Sequence, residues 1–372
     1  ENREIKVTLN EDIGEIYVDV SPADALISID GVAMSTGSQN LRLATKKYKL
    51  SVSKNGFETK TISINPRPKI PQAVSIQLIT TEEAYWASRP EVISTPLGNK
   101  LKLFKPNDEV FSMGAPRREP GRRANEAEKR IQLQRPFYFA ITETSNKEYR
   151  QWKSEHNSSS IRGLSLDLND QPVANIAWQD AALFCNWLSE KENLPKFYNV
   201  VGDRVTSINW DSNGYRLPTE SEWSWVAKVT KAGSTKVFPW NSPSYPPPFV
   251  SGNYADESAK SMLPFTISNY NDSFPVSASV GSFRPNEKGI FNLSGNVAEW
   301  VNDFYEIRVN KSEPLVDYRG PNTGNRHVIR GASWALGSRS ELRLSYREPG
   351  YDGKIDVGFR IARYVDKPKG DL

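Results

Sequence analysis

Cysteine is almost missing from this chain: Cys185 stands alone among 372 residues. No intrachain disulfide can form, and no thiolate pair exists to hold a soft metal ion. Histidine is nearly as scarce. His156 and His327 lie far apart in polar contexts, which excludes a centre built on several histidine ligands. No run approaches the ~18 consecutive apolar residues of a membrane-spanning helix. Charge of one sign is also in short supply: 48 Lys and Arg face 44 Asp and Glu, a net charge of +4, so no overall field calls for nucleic acid. The densest basic stretch, residues 116–130, holds Arg117, Arg118, Arg122, Arg123, Lys129 and Arg130. Glu119, Glu126 and Glu128 interrupt it, which reads as an internally paired, solvated segment rather than a phosphate-binding patch.

Aromatic residues are plentiful, with 10 Trp, 15 Tyr and 15 Phe, and hydrophobic residues make up 37% of the chain. That is enough apolar area for real cores, and the length suggests two domains. The 25 Pro and 23 Gly point to many turns and irregular loops. Cys185 falls on one face of a helix with Ala182 and Leu188, so a buried small hydrophobe is the expectation.

The first eighty residues read as short strands broken by turns. Ile16, Val18 and Val20 alternate with Glu15, Tyr17 and Asp19, and Asp30-Gly31 and Asn55-Gly56 suit hairpin turns. A small antiparallel β-sandwich is expected over residues 1–80. Pro22-Ala23-Asp24-Ala25, Ile29-Asp30-Gly31, Tyr48-Lys49-Leu50 and Lys54-Asn55-Gly56-Phe57 resemble, in order, the PEGA domain of bacterial envelope proteins. The resemblance implies a spacer or docking role. With a chain opening on Glu1, it leads to the expectation of an extracytoplasmic protein, in the bacterial periplasm or on the cell surface, after loss of a signal peptide or anchor. Residues 81–106, with Pro90 and Pro96, read as a linker and lead-in.

From residue 107 to 366 the pattern predicts an α+β domain with much irregular structure, followed by a short tail at 367–372. Two helices are expected, one over 179–193 and one over 220–230 with Thr219 and Glu222 as a capping box. The region after the second helix lacks periodicity, so its backbone needs partners other than a strand ladder, bound metal among them. In order along the domain stand Phe111-Ser112-Met113-Gly114, Thr142-Glu143-Thr144-Ser145-Asn146-Lys147-Glu148-Tyr149 and Cys185-Asn186-Trp187. Then come Arg216-Leu217-Pro218-Thr219-Glu220-Ser221-Glu222-Trp223, Gly295-Asn296-Val297-Ala298-Glu299-Trp300, Arg330-Gly331-Ala332-Ser333-Trp334 and Gly358-Phe359-Arg360. This set resembles the formylglycine-generating enzyme, or sulfatase-modifying factor, family, whose fold is of the C-type-lectin type.

The resemblance implies an enzyme that uses oxygen and copper to convert a sulfatase cysteine to formylglycine, with two cysteines shortly after the RGASW segment. Here that stretch, Ala335 to Gly350, contains none. A second branch of the family uses three histidines to hold iron, and two histidines cannot supply them. Neither copper nor iron is expected. Ser333 with His327 makes a poor hydrolase pair for want of a third partner. Arg339, Arg343 and Arg347 could line the former cleft and grip an anionic or peptide ligand; surface pairing with Glu341 and Glu348 is the plainer reading.

Calcium is the metal the resemblance leaves standing. It implies one structural site on the side chains of Asn292 and Glu299 with the carbonyls of Gly295 and Val297. A second falls on Asn253 and Asp272 with the carbonyls of Tyr254 and Phe274. These are hard oxygen donors of the kind calcium takes. The expected function is non-catalytic binding or scaffolding of an envelope protein partner. An enzyme of unknown reaction in the old cleft and a glycan-binding lectin-like protein are the alternatives.

Overall fold

The computed structural model describes residues 12–106, 108–240, 242–307 and 313–365, and the chain divides into two compact units that meet at Pro90–Glu91. In the first unit, β1 (Ile13–Ser21), β2 (Leu26–Ile29), β3 (Val32–Thr36), β4 (Gln39–Ala44), β5 (Tyr48–Ser53), β6 (Lys60–Ile64) and β7 (Gln72–Gln77) form two sheets, ordered β4-β1-β7 and β3-β2-β5-β6. Strict alternation along β1 sends Ile16, Val18 and Val20 into a core with Ile27, Leu50, Val52 and Ile76. Asp30 and Gly31 both take positive φ at the tight turn between β2 and β3, as that dipeptide suggested. One pair departs from the antiparallel expectation: β7 runs parallel to β1.

Residues 81–106 are not a linker. Thr80 and Glu83 close a capping box on α1 (Thr81–Ala87), which ends the first unit. In the second unit, β8 (Val92–Ser94) and β9 (Lys100–Phe104) join β12 (Phe137–Ala140), β17 (Tyr215–Arg216) and β23 (Ala362–Tyr364) in a five-stranded sheet ordered β17-β23-β12-β9-β8. The proline count hid the buried positions Leu101, Leu103 and Phe104; Phe104 packs edge-on to Phe139 and Trp225. The second unit therefore starts at Glu91, not 107. A fragment from Glu91 onward is expected to give one cooperative melt by circular dichroism, whereas one starting at Leu101 loses β8 from the sheet edge and melts lower. An insoluble Glu91 fragment would show that the two cores depend on each other.

Three helices follow, α2 (Asn146–Tyr149), α3 (Trp178–Lys191) and α4 (Glu220–Lys228), the last with the expected Thr219–Glu222 capping box. Cys185 is fully buried on α3, and burial pushes its thiol pKa up. A four-stranded sheet, ordered β21-β20-β18-β22, is built from β18 (Ala298–Phe304), β20 (His327–Arg330), β21 (Arg347–Gly350) and β22 (Val357–Phe359). β18 and β20 are antiparallel, with Glu299 opposite Arg330 at one end and Phe304 opposite His327 at the other. Between Val229 and Val297 one short 3-10 turn, Glu257–Ala259, is the sole regular helix among the described residues. Side chains take over the ladder's work there. Asn253 Nδ2 donates to the Val276 carbonyl, Asn296 Oδ1 accepts from the Ala278 amide, and Asp256 Oδ2 accepts from the Asp272 amide.

Candidate functional site

The motif residues converge at one end of the β18–β20 pair, and they do so as ion pairs. Glu220, at the first position of α4, accepts from Arg347 Nε at 2.6 Å and from Arg330 Nη1 at 3.3 Å. Arg216 grips the capping-box carboxylate of Glu222 at 2.6 Å. Arg360 of the GFR motif holds Glu299 at 2.5 Å, and Trp223 Nε1 donates to the same carboxylate at 2.8 Å. All of these side chains are buried. Charges taken out of water need partners of this quality, so the residue types are dictated by one another rather than by a substrate.

Arg343 and Arg347 belong to this interior and do not line a cleft. Arg343 is fully buried between Glu119 and Glu126, at 2.8 and 2.7 Å. The basic stretch at 116–130 is therefore paired with a distant segment rather than within itself. Neither arginine meets Glu341 or Glu348; Arg339 lies over the Tyr245 ring. Residues 338–343 form turns and bends rather than a helix, so no helical face gathers the three. Ser333 Oγ donates to Asp356, and His327 is not in a polar loop but opens β20, flat against Trp178 with ring centroids 3.5 Å apart. Ser333 and His327 each have other partners, Asp356 and the Asn302 carbonyl, and do not pair with each other. Among the described residues no three His, Cys, Asp or Glu side chains converge as metal ligands.

The two implied calcium positions present different donors. At the first, Asn292 Nδ2 donates to both oxygens of Glu143, while its Oδ1 is buried without a partner. Glu299, however, already accepts three hydrogen bonds, from Trp223 and from Arg360 Nε and Nη2, out of about four lone-pair sites. It is not the free, dominant charged ligand that the motif implied. Gly295 and Val297 lie in the adjoining loop, where Asn292, Ser294, Gly295 and Asn296 all have positive φ. At the second position, Asn253 Oδ1 is likewise buried without a partner. Asp272 accepts from the amides of Tyr254 and Phe274, both at 3.0 Å, and its carboxyl also meets that of Asp256. Burial, with the nearby Asp256 carboxylate, pushes the Asp272 pKa up to about 7. Asn253 and Asp272 thus fit a hard cation better than Asn292 and Glu299.

Two participants escaped the sequence reading. Glu143 is fully buried beside Asn292 and Asn296, and burial, with the Glu299 charge adding to it and Arg360 opposing, pushes its pKa up to about 7. Asp256 caps the 3-10 turn and hydrogen-bonds the Asp272 amide. Glu143 stands in the Thr142–Tyr149 motif and Asp256 two residues after Tyr254, but the partners of both are distant in sequence.

Known proteins agree with this architecture. Residues 88–365 match the family described as the sulfatase-modifying factor enzyme 1-like domain, and residues 13–82 match the PEGA domain. The formylglycine-generating enzyme of Streptomyces coelicolor is 28% identical over 207 residues, 54% of this chain, and the chain spans 55% of that enzyme's length. Chaperone protein LppX of Paenibacillus barcinonensis is 29% identical over 253 residues, covering 61% of this chain and 80% of LppX. The inactive C-alpha-formylglycine-generating enzyme 2 of Mus musculus is 26% identical, covering 68% and 83%. Variable protein 1 of Treponema denticola, 24% identical, shares the fold with a TM-score of 0.57 over 74% of this chain and all of its own. With that match over its larger part, a PEGA domain ahead of it and one buried cysteine in place of a pair, the chain belongs to the sulfatase-modifying factor enzyme 1-like family.

Proposed function

We propose that the chain is a non-catalytic, extracytoplasmic binding or scaffolding protein whose family domain is stiffened by calcium and recognises an envelope protein partner. One observation carries the reading. The segment that would hold the copper thiolates, Ala335–Gly350, has no cysteine, and its Arg343 and Arg347 are spent on buried carboxylates. That segment contains neither a thiol nor an imidazole. Similarity to a relative named a chaperone and to one named inactive supports binding over turnover. A rigid core with long irregular loops suits recognition.

Asn253 and Asp272, with the carbonyls of Tyr254 and Phe274, would hold calcium; Asn292 with Gly295 and Val297 would hold a second ion more weakly, because Glu299 is engaged by Arg360. Calcium supplies charge compensation to buried oxygens in this reading and takes part in no reaction. No helix among the described residues is long and apolar enough to cross a membrane. The test is direct. The full chain, loaded with Cu(I) and given oxygen and a cysteine peptide of the sulfatase type, should form no formylglycine by mass spectrometry. Turnover would overturn the proposal.

A further inference from the structure

A cavity of about 750 Å³ in the second unit lies away from the motif cluster. It opens where Phe304 pairs with His327, at the opposite end of β18 and β20 from Glu299 and Arg330. Its volume falls in the ~300–1,000 Å³ range of small-ligand sites. On one side the His327 ring stacks on Trp178 at an interplanar angle of 6°, with Phe304 against it at 4.3 Å. Burial pulls the His327 pKa down to about 4, so at neutral pH this wall is uncharged and aromatic.

The positive charge comes from two arginines on other elements. Arg204 opens β16 (Arg204–Ile208), and Arg319 lies 4.3 Å over the Trp210 ring. Among the described residues neither makes an ion pair, and Arg319 Nε is buried without a partner. The contrast with Arg216, Arg330, Arg343, Arg347 and Arg360 is sharp, since each of those is neutralised by a buried carboxylate. The N-terminus of the 14-residue α3 borders the same space, and its N-cap, Ala177, supplies no side-chain cap. Its first amides add to the positive potential. The remaining rim carries uncharged hydrogen-bonding amides, Asn322 and Asn325, and the exposed ring of Tyr351.

An aromatic wall, neutral amides and unspent guanidinium groups form a particular combination. Aromatic faces take the C–H face of a pyranose, amides take hydroxyls, and a guanidinium fork takes an acid group. We infer that this cavity binds an acidic saccharide, a sugar whose carboxylate engages Arg319 and Arg204. A nucleotide fits less well because Arg319 already covers a face of Trp210, where a base would stack. The inference goes beyond the protein-partner reading above and uses different residues, so a copper-dependent turnover result and a saccharide result fail separately.

The test uses the full chain on an array printed with uronate- and sialate-bearing glycans, their neutral counterparts and peptides of matched negative charge. Capture confined to acidic glycans is expected. Arg319→Gln should weaken it about tenfold or more, the loss usual for one charged hydrogen bond. Arg204→Ala and Tyr351→Ala, both at exposed positions, should weaken it while leaving the melting temperature unchanged, which separates binding from folding. No capture, equal capture of neutral glycans or of peptides, or affinity indifferent to all three variants would overturn the assignment.

Discussion

Glu220→Gln is expected to destabilise the second unit by about 3–5 kcal/mol, the cost of removing one partner from a buried ion pair. For a domain of this size that is a fall in Tm of roughly 6–20 °C. The magnitude follows from Glu220's position. Its carboxylate is 2% exposed and serves two guanidinium groups, Arg330 and Arg347, which are themselves buried. The amide keeps the shape but leaves two charges facing each other without compensation. Glu83→Gln makes the comparison clean: that capping-box carboxylate on α1 is exposed and paired with Thr80 alone, so its loss should cost well under half as much. The same carboxylate sets an acid limit. Burial alone would raise the Glu220 pKa, but Arg347, Arg330 and Lys129 together hold it at about 2, below the ordinary 4.5. A group depressed in the folded state contributes stability that is complete above its unfolded pKa and is lost as pH falls through the folded one. Wild-type protein should therefore lose stability between about pH 4.5 and 2, and Glu220→Gln should show a shallower slope there. A Tm within 2 °C of wild type would mean that the triad contributes little.

If calcium is held as proposed, its chelation is expected to give the second large effect. An ion that binds only the folded state stabilises it by about 2.7 kcal/mol at a hundredfold excess over Kd. EDTA should lower Tm by roughly 5–10 °C, and calcium should restore it better than magnesium, which insists on a tighter octahedral shell. The geometry sets the order of the variants. Asp272→Asn should abolish most of the response, because Asp272 is the charged donor of the better-fitting set and accepts from the amide that follows Asn253, whose Oδ1 is unpartnered. Glu299→Gln should lower Tm with or without calcium, since its main partners are Arg360 and Trp223. A melting curve indifferent to chelator would show that the irregular segment is held by its own asparagine and aspartate hydrogen bonds. A response lost in Glu299→Gln but kept in Asp272→Asn would reverse the assignment of the stronger site.

Local features read true wherever the interaction is short in sequence. The β1 alternation, the Asp30-Gly31 turn, the Thr219–Glu222 capping box and the burial of Cys185 on α3 each depend on residues a few positions apart. The family motifs were also legible, because RLPTESEW and GNVAEW are contiguous strings. What those strings do was not. Arg216 and Glu222 lie within one motif, but Glu220 finds Arg347 across 127 positions and Arg343 finds Glu119 across 224. Arg343 and Arg347 were misread because Glu341 and Glu348, the acids beside them in sequence, are not the ones they meet in the fold. β8 and β9 were missed because three buried residues on a short strand give little periodicity beside several prolines.

The sequence by itself determined the family, the PEGA module ahead of it and the absence of a thiolate pair, since each rests on residue identity and order alone. Only the tertiary structure decided which charges are spent. It placed Glu299 on Arg360, left Asn253 and Asp272 as the better donors for a hard cation, and set Arg204 and Arg319 beside an aromatic wall with no carboxylate to meet them. The physical reason is that a buried charge is defined by its partner, and partners here come together across 61 to 224 residues of chain.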